Sequence, residues 1–267
     1  MIGGWWRQWR ARREVRAVAR RAIPDDLWKR TLVRYPFLRR HDAAAAAELR
    51  RLTSLFLDRK EFTAVGGLRL GDAVAVSIAA QAVLPVLRLG LDLYDDFVGI
   101  VVHPEEVVAR RATPDDDGLV HEYDEALVGE AMPGGPVTLT WRAVRQAGAD
   151  TGIAYNVVIH EFAHKLDMAD GVLDGMPPLP ASLPAADWQA CLLAAYEAFV
   201  KRCEAGEASA LDPYGSSSPD EFFAVAAEAF FVLPERFKGE HPALYAMFAL
   251  YFRQDPAAEM PPLPRRN

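Results

Sequence analysis

An α+β fold, rich in helix and holding one small sheet, is what this sequence predicts. Three features carry that expectation. Apolar residues recur at helical spacing in several long segments, short β-branched runs lie between them, and glycine and proline clusters mark the boundaries. With 267 residues, 51% hydrophobic and 25% charged, the chain has the composition of a globular protein and enough length for one large core.

Taken in order, residues 1–21 read as an Arg-rich arm, with Trp5, Trp6 and Trp9 among Arg7, Arg10, Arg12 and Arg13, ended by Ile23-Pro24-Asp25-Asp26. From Asp26 to Lys60 the pattern is helical, with Leu49, Leu52, Leu55 and Phe56 at apolar positions. Residues 65–70 and 97–102 predict strands, and 72–83 between them predicts a buried helix. Residues 113–130 are acidic and poor in core residues. Asp115-Asp116-Asp117-Gly118 lacks the alternate carboxylates and closing Glu of a calcium loop, so an exposed loop is expected. Residues 136–141 alternate and are β-branched, which predicts a strand. A helix from about Gly152 to Met168 follows, then a Gly- and Pro-rich loop through Pro184. Further helices are expected over 185–203, from Ser218-Pro219-Asp220-Glu221 onward, and over 242–253. The organisation read from this is a basic N-terminal arm (1–21), one domain (22–255) and a proline-rich C-terminal tail (256–267).

Charge is unevenly spread. The first 60 residues carry 16 basic and 6 acidic side chains, so the net −7 of the whole chain hides a strongly acidic body. A basic segment suits a nucleic-acid or membrane-surface arm, but it equally suits a solvated helical face, and the acidic body would repel a phosphate backbone. Direct nucleic-acid binding is therefore not expected. No apolar stretch is long enough to span a bilayer, and the basic N-terminus lacks the apolar run of a signal peptide. Cys191 and Cys203 form no disulfide framework and no metal-ligand spacing. A cytoplasmic location is the expectation.

The chemistry lies in Val157-Val158-Ile159-His160-Glu161-Phe162-Ala163-His164-Lys165-Leu166-Asp167. Two His four apart on a helix are about 40° apart in projection and one turn apart in height, so both imidazoles can reach one zinc. Glu161, about 100° round from His160, can hold a water without ligating the metal and take its proton. This is the His-Glu-x-x-His arrangement of zinc peptidases, and it makes the predicted fold a zincin-like one with this helix at the active site. Asp167 could orient a ligand imidazole from behind, or be a charge near a helix end. A catalytic zinc needs a third protein ligand and an open position. No third His follows nearby, and the candidates are Asp220, Glu221 and Glu228 on the Phe-rich helix. Glu221 and Glu228, seven apart, share a face. Ser218 and Glu221 also have the spacing of a capping box, so spacing alone leaves Glu221 and Glu228 both open.

The run Ala154-Tyr155-Asn156 through Asp167 resembles the Mlc titration factor A family of bacterial metallopeptidases. So do Tyr35-Pro36-Phe37-Leu38, Ile100-Val101-Val102-His103-Pro104, Tyr214, Asp220-Glu221-Phe222-Phe223-Ala224-Val225 with Glu228, and Tyr251-Phe252-Arg253-Gln254-Asp255-Pro256. The resemblance covers about residues 30–256 and extends to the catalytic domain of anthrax lethal factor. It implies one Zn2+ per chain on His160, His164 and Glu221, with Glu161 as general base. It further implies that Tyr214, seven residues before Glu221, stabilises the oxyanion, and that Glu228 stands behind the ligands. Peptidase activity, including aminopeptidase activity on small substrates, is implied, as is binding of Mlc, a repressor of glucose-uptake genes.

Three readings follow: a zinc peptidase taking an extended peptide, paired against the 137–141 strand; a regulatory protein that sequesters a transcriptional repressor of the Mlc type; and a surface-binding module using the basic arm.

Overall fold

Prolines and the capping side chains of Asp42, Thr140 and Asn156 decide where most of the helices begin. The computed structural model describes residues 2–105, 107–114, 120–127, 129–148 and 152–258. Helix α1 (Ile2–Arg20) is followed by α2 (Asp25–Arg34), which starts directly after Pro24. Pro36 disfavours helical geometry at Tyr35 (φ −120°, ψ 80°) and opens a 3-10 turn, Pro36–Arg39. Asp42 then starts α3 (Ala43–Arg59), its side chain accepting from the Ala45 N–H at 2.7 Å. The single helical run expected over 26–60 is thus three pieces.

The residues expected as an arm form α1, which lies along α3 with Ala17 buried. Arg10 pairs with Asp92 and Arg20 with Asp58, each at 3.0 Å, while Glu14 receives Arg51 at 3.0 Å. Such exposed pairs stabilise little individually. Arg10–Asp92 joins the basic quarter to the acidic body, and the other two pairs lie within the quarter itself.

The strands are β1 (Glu61–Ala64), β2 (Gly99–His103), β3 (Val107–Pro114), β4 (Val120–Leu127), β5 (Gly129–Ala131) and β6 (Val137–Thr140). The main sheet has the order β1-β2-β6-β5, with β1, β2 and β6 parallel and β5 antiparallel to β6. β3 and β4 form a separate antiparallel hairpin, Val107 opposite Leu127. The loop expected over 113–130 is therefore wrong for residues 113–114, 120–127 and 129–130. Acidic charge marks solvent exposure, which an exposed hairpin meets as readily as a loop does. Residues 115–119 lie outside the described ones. The strand expected at 65–70 is displaced to 61–64, because Gly66 and Gly67 turn the chain at φ +60° and +78°. β6 has a partner on both sides, so no peptide can pair with 137–141. β5 is the end of the sheet nearest α6 among the described residues.

The remaining helices are α4 (Asp72–Ala82), α5 (Trp141–Gln146), α6 (Val157–Asp167), α7 (Ala185–Glu204), α8 (Pro219–Val232), α9 (Pro234–Glu240) and α10 (Pro242–Phe252). α9 was not expected from the sequence. Prolines open α8, α9 and α10, where a missing N–H costs nothing. α6 packs against α8, β5 and α4. Its Phe162 is fully buried, with ring centroids 5.0 Å from Tyr94, 5.6 Å from Phe56 and 5.9 Å from Phe97. α8 is buried almost all round by Phe222, Phe223, Phe230 and Phe231, and Phe223 meets Phe248 at 5.5 Å. These aromatic contacts fix how both helices are rotated. The tail begins pinned, since the Ala257 N–H donates to the Tyr245 hydroxyl, while residues 259–267 lie outside the described ones. Among the described residues no helix is long and apolar enough to cross a membrane.

Candidate metal centre

The helix that carries His160 and His164 begins at Asn156, not near Gly152. Gly152 is left-handed (φ +77°), and the Ala154 N–H donates to the Ala210 carbonyl at 2.8 Å, holding the approach non-helical. Asn156 then caps the helix, its Oδ1 accepting from the Val158 and Ile159 N–H groups at 3.1 Å each. This places the two imidazoles one turn apart, with their Nε2 atoms 3.2 Å from each other.

α8 delivers the third group. Glu221 Oε2 lies 3.0 Å from His160 Nε2 and 3.4 Å from His164 Nε2. The three candidate ligand atoms all fall within 4.8 Å of one another. Glu221 does not act as part of a capping box: Ser218 is the N-cap of α8 and makes no side-chain cap bond. Glu228, two turns further on, takes a different place. Its Oε1 is 2.8 Å from His160 Nδ1, and its Oε2 accepts from the Asn156 N–H.

These contacts fit a cation. A carboxylate on His160 Nδ1 holds the ring proton there and turns the Nε2 lone pair toward Glu221. Glu221 Oε2 is buried without a hydrogen-bond partner. Imidazole lone pairs and a carboxylate oxygen converging on one gap repel unless something positive fills it, and two imidazoles with one carboxylate are a donor set suited to a divalent metal. A proton can do part of that work. Burial opposes charge on His160, yet Glu221 and Glu228 raise it well above the ordinary imidazole value. Burial would raise Glu221, but the two imidazoles hold it far below the usual carboxylate range.

Glu161 sits beside this group without touching it as a ligand. It is 5% exposed, and burial, reinforced by the charges of Glu221, Glu228 and Glu130, pushes it up to about 8. Its carboxylate lies against Gly129 of β5, at a point where a Cβ would come within 2.4 Å of Oε1. Tyr214 stands at the rim, 54% exposed, on the 3-10 turn Pro213–Ser216. Asp212 accepts from the Tyr214 N–H at 2.9 Å, and the phenol donates to Glu221 Oε1 at 3.2 Å. Gly215 lets that turn lie against Val225 of α8.

Asp167 does not make the orienting bond expected of it. Its Oδ2 accepts from the Gly175 N–H at 2.7 Å and its Oδ1 has no partner, so it bonds neither imidazole. It ties the end of α6 to the following loop instead. Three neighbours of the site went unread in the sequence: Gly129, Lys165 and the cap Asn156. The Asn preference at helix starts could have found Asn156. Nothing local marks Gly129, which lies 32 residues before Glu161 in a stretch read as loop.

A model of the glucose-regulated metallo-peptidase M90 family matches residues 6–253. The chain is 39% identical over 215 residues to Mlc titration factor A of Edwardsiella ictaluri, covering 78% of this chain and 81% of that protein. It is 35% identical over 239 residues to Mlc titration factor A of Salmonella arizonae, covering 88% and 94%. An uncharacterized protein of Synechocystis is 31% identical over 253 residues, covering 94% and 90%. Metallopeptidases of this kind imply a metal ion, and the His160, His164 and Glu221 cluster is the place in this fold able to hold one among the described residues. With a match that runs nearly end to end and relatives aligned over most of their own length, the chain belongs to the glucose-regulated metallopeptidase M90 family.

Proposed function

We propose that this chain is a zinc-dependent peptidase, aminopeptidase-like in acting on small substrates. The observation that carries the proposal is the convergence of His160 Nε2, His164 Nε2 and Glu221 Oε2 beside the buried, non-ligating Glu161. In this reading His160, His164 and Glu221 hold one Zn2+ per chain. When bound, the ion supplies the Lewis acidity that lowers the pKa of water and polarises the scissile carbonyl. Glu161 takes the proton of the attacking water and passes it to the leaving amine. Tyr214 turns its hydroxyl from Glu221 to the developing oxyanion, which its exposed position at the rim permits. Glu228 keeps the His160 ring in the tautomer that ligates. The substrate lies extended along the outer edge of β5, where main-chain pairing tolerates many sequences. The protein works in the cytoplasm, where Cys191 and Cys203, both unpaired, stay reduced.

A second reading draws on the names of the relatives: a chain 39% identical to an Mlc titration factor could bind and sequester a repressor of that type. The two roles can coexist, and one variant separates them. Metal content is measured beside hydrolysis of a chromogenic aminoacyl and peptide panel, for wild type and Glu161→Gln. Zinc in both with turnover only in wild type is expected. Zinc in both with turnover in neither favours the repressor-binding role, and no zinc in either after zinc is supplied removes the peptidase reading.

A further inference from the structure

The general base is held in an unusually narrow space, and a glycine makes the space. A Cβ built on Gly129 would lie 2.4 Å from Glu161 Oε1 and 2.8 Å from both its Cδ and its Cγ. Gly129 is not among the glycines with positive φ, so its backbone conformation is open to any residue and the requirement is one of room. Neither side can retreat. β5 is paired to β6 from Gly129 opposite Leu139 to Ala131 opposite Val137. α6 is fixed beneath by Phe162 in its aromatic nest. Lys165 of the same helix donates to the Met132 and Gly135 carbonyls of the β5–β6 turn, at 2.7 and 3.2 Å. A side chain at 129 therefore has to displace Glu161 itself. The clash reaches Cγ, so a small swing of the carboxylate does not relieve it and a change of rotamer is needed.

We propose that Gly129 is the positioning residue for Glu161, the missing side chain on the edge strand being what keeps the carboxylate beside the two imidazoles. The consequence for rate rests on the peptidase reading; the contact does not. Gly129 acts through Glu161 and touches no reacting atom.

Two measurements test this. In metal-free protein, thermal unfolding is followed for Gly129→Ala, Glu161→Ala and the double variant. Overpacking lowers Tm by about 3–8 °C when Gly129→Ala is made in the wild type. The same change made beside Glu161→Ala leaves Tm level or raises it, because alanine in a strand normally gains over glycine. In zinc-loaded protein, Gly129→Ala lowers kcat at least about 100-fold with metal content and KM held. A merely structural role for Gly129 would give equal Tm losses in the wild type and beside Glu161→Ala, and that result overturns the proposal, as does an unchanged Tm and rate in Gly129→Ala. If the wild type hydrolyses nothing while the Tm losses remain coupled, the contact stands and it is the peptidase reading that fails.

Discussion

Replacing Lys165 by methionine should cost about 2–4 kcal/mol of folding stability. Lys165 follows the second His of the motif, yet it has no exposed surface. Its ammonium has three N–H donors and finds three acceptors: Asp96 Oδ2 at 3.1 Å, the Met132 carbonyl at 2.7 Å and the Gly135 carbonyl at 3.2 Å. It also lies 4.6 Å from the centre of the Phe97 ring. Methionine keeps the stem and its packing and removes only the charge and the donors. The Asp96 side chain is 37% exposed, so water can take over that partner and the ion pair accounts for little of the loss. Most of it comes from the ammonium's hydrogen bonds to the two carbonyls, each worth about 1.5–3 kcal/mol, the loss being smaller at Met132, whose carbonyl still accepts from the Gly135 N–H at 3.0 Å. For a chain of this size the figure corresponds to a Tm lower by roughly 5–12 °C, read in a two-state melt by circular dichroism. Arginine should not rescue, because a planar guanidinium cannot meet three acceptors arranged around a tetrahedral ammonium. A fall below about 2 °C for Lys165→Met would refute the view that this cation fastens α6 to the β5–β6 turn.

Glu228→Gln should weaken metal binding about 10- to 100-fold in a chelator competition, because one amide oxygen cannot accept from both His160 Nδ1 and the Asn156 N–H; a change under about threefold would contradict it. Asp167 gives a pH signature in metal-free protein. Burial, with the charges of Asp174 and Asp220, pushes its carboxyl up to about 7 against the opposing Gly175 N–H and His164, while the unfolded chain ionises near about 3.9. The unfolded state thus loses its proton first, and the folded state loses stability between about pH 4 and pH 7, with no further loss above. Asp167→Asn escapes this, so its advantage over wild type in urea unfolding should grow by on the order of 2–3 kcal/mol from pH 5 to pH 8; a constant difference would contradict it.

What the sequence made legible is what depends on near neighbours in the chain. His160, Glu161 and His164 are placed by helical spacing alone, and the buried helix at 72–83 and the strand at 136–141 follow from local pattern. The helix start at Asn156 is not legible in the local apolar pattern because the run before it suits a helix; the left-handed Gly152 and the bonds from Ala154 to Ala210 and from Gly148 to Tyr155 hold that run out of one. The hairpin was not legible because acidic charge reports on solvent, which an exposed hairpin meets as readily as a loop. For the basic N-terminal segment the sequence left open which acids its cations meet, since Asp92 and Asp58 are remote in sequence from Arg10 and Arg20. Asp167 shows the limit most clearly. Its position three residues after His164 suggests an orienting partner, but the loop at Gly175, brought back by φ +80° there, captures the carboxylate first.

The one choice that spacing left open, between Glu221 and Glu228, has a physical answer in the spacing itself. Seven residues are two helical turns, about 10.5 Å along α8, and both carboxylates leave the same face. An imidazole has two nitrogens on different edges of the ring, and His160 lies across α8 so that each meets its own carboxylate: Nε2 meets Glu221 and Nδ1 meets Glu228. The two acids are not rivals for one position. They differ in what else they hold, Glu221 receiving the Tyr214 hydroxyl and Glu228 the Asn156 N–H at the start of α6. A rotation of α8 by one residue, about 100°, would remove both from His160 together. That explains why the helix beyond its first turn, Glu228 apart, is so apolar. Phe222, Phe223, Phe230 and Phe231 fill the core around it, and their packing is what keeps the acid-bearing face turned toward α6.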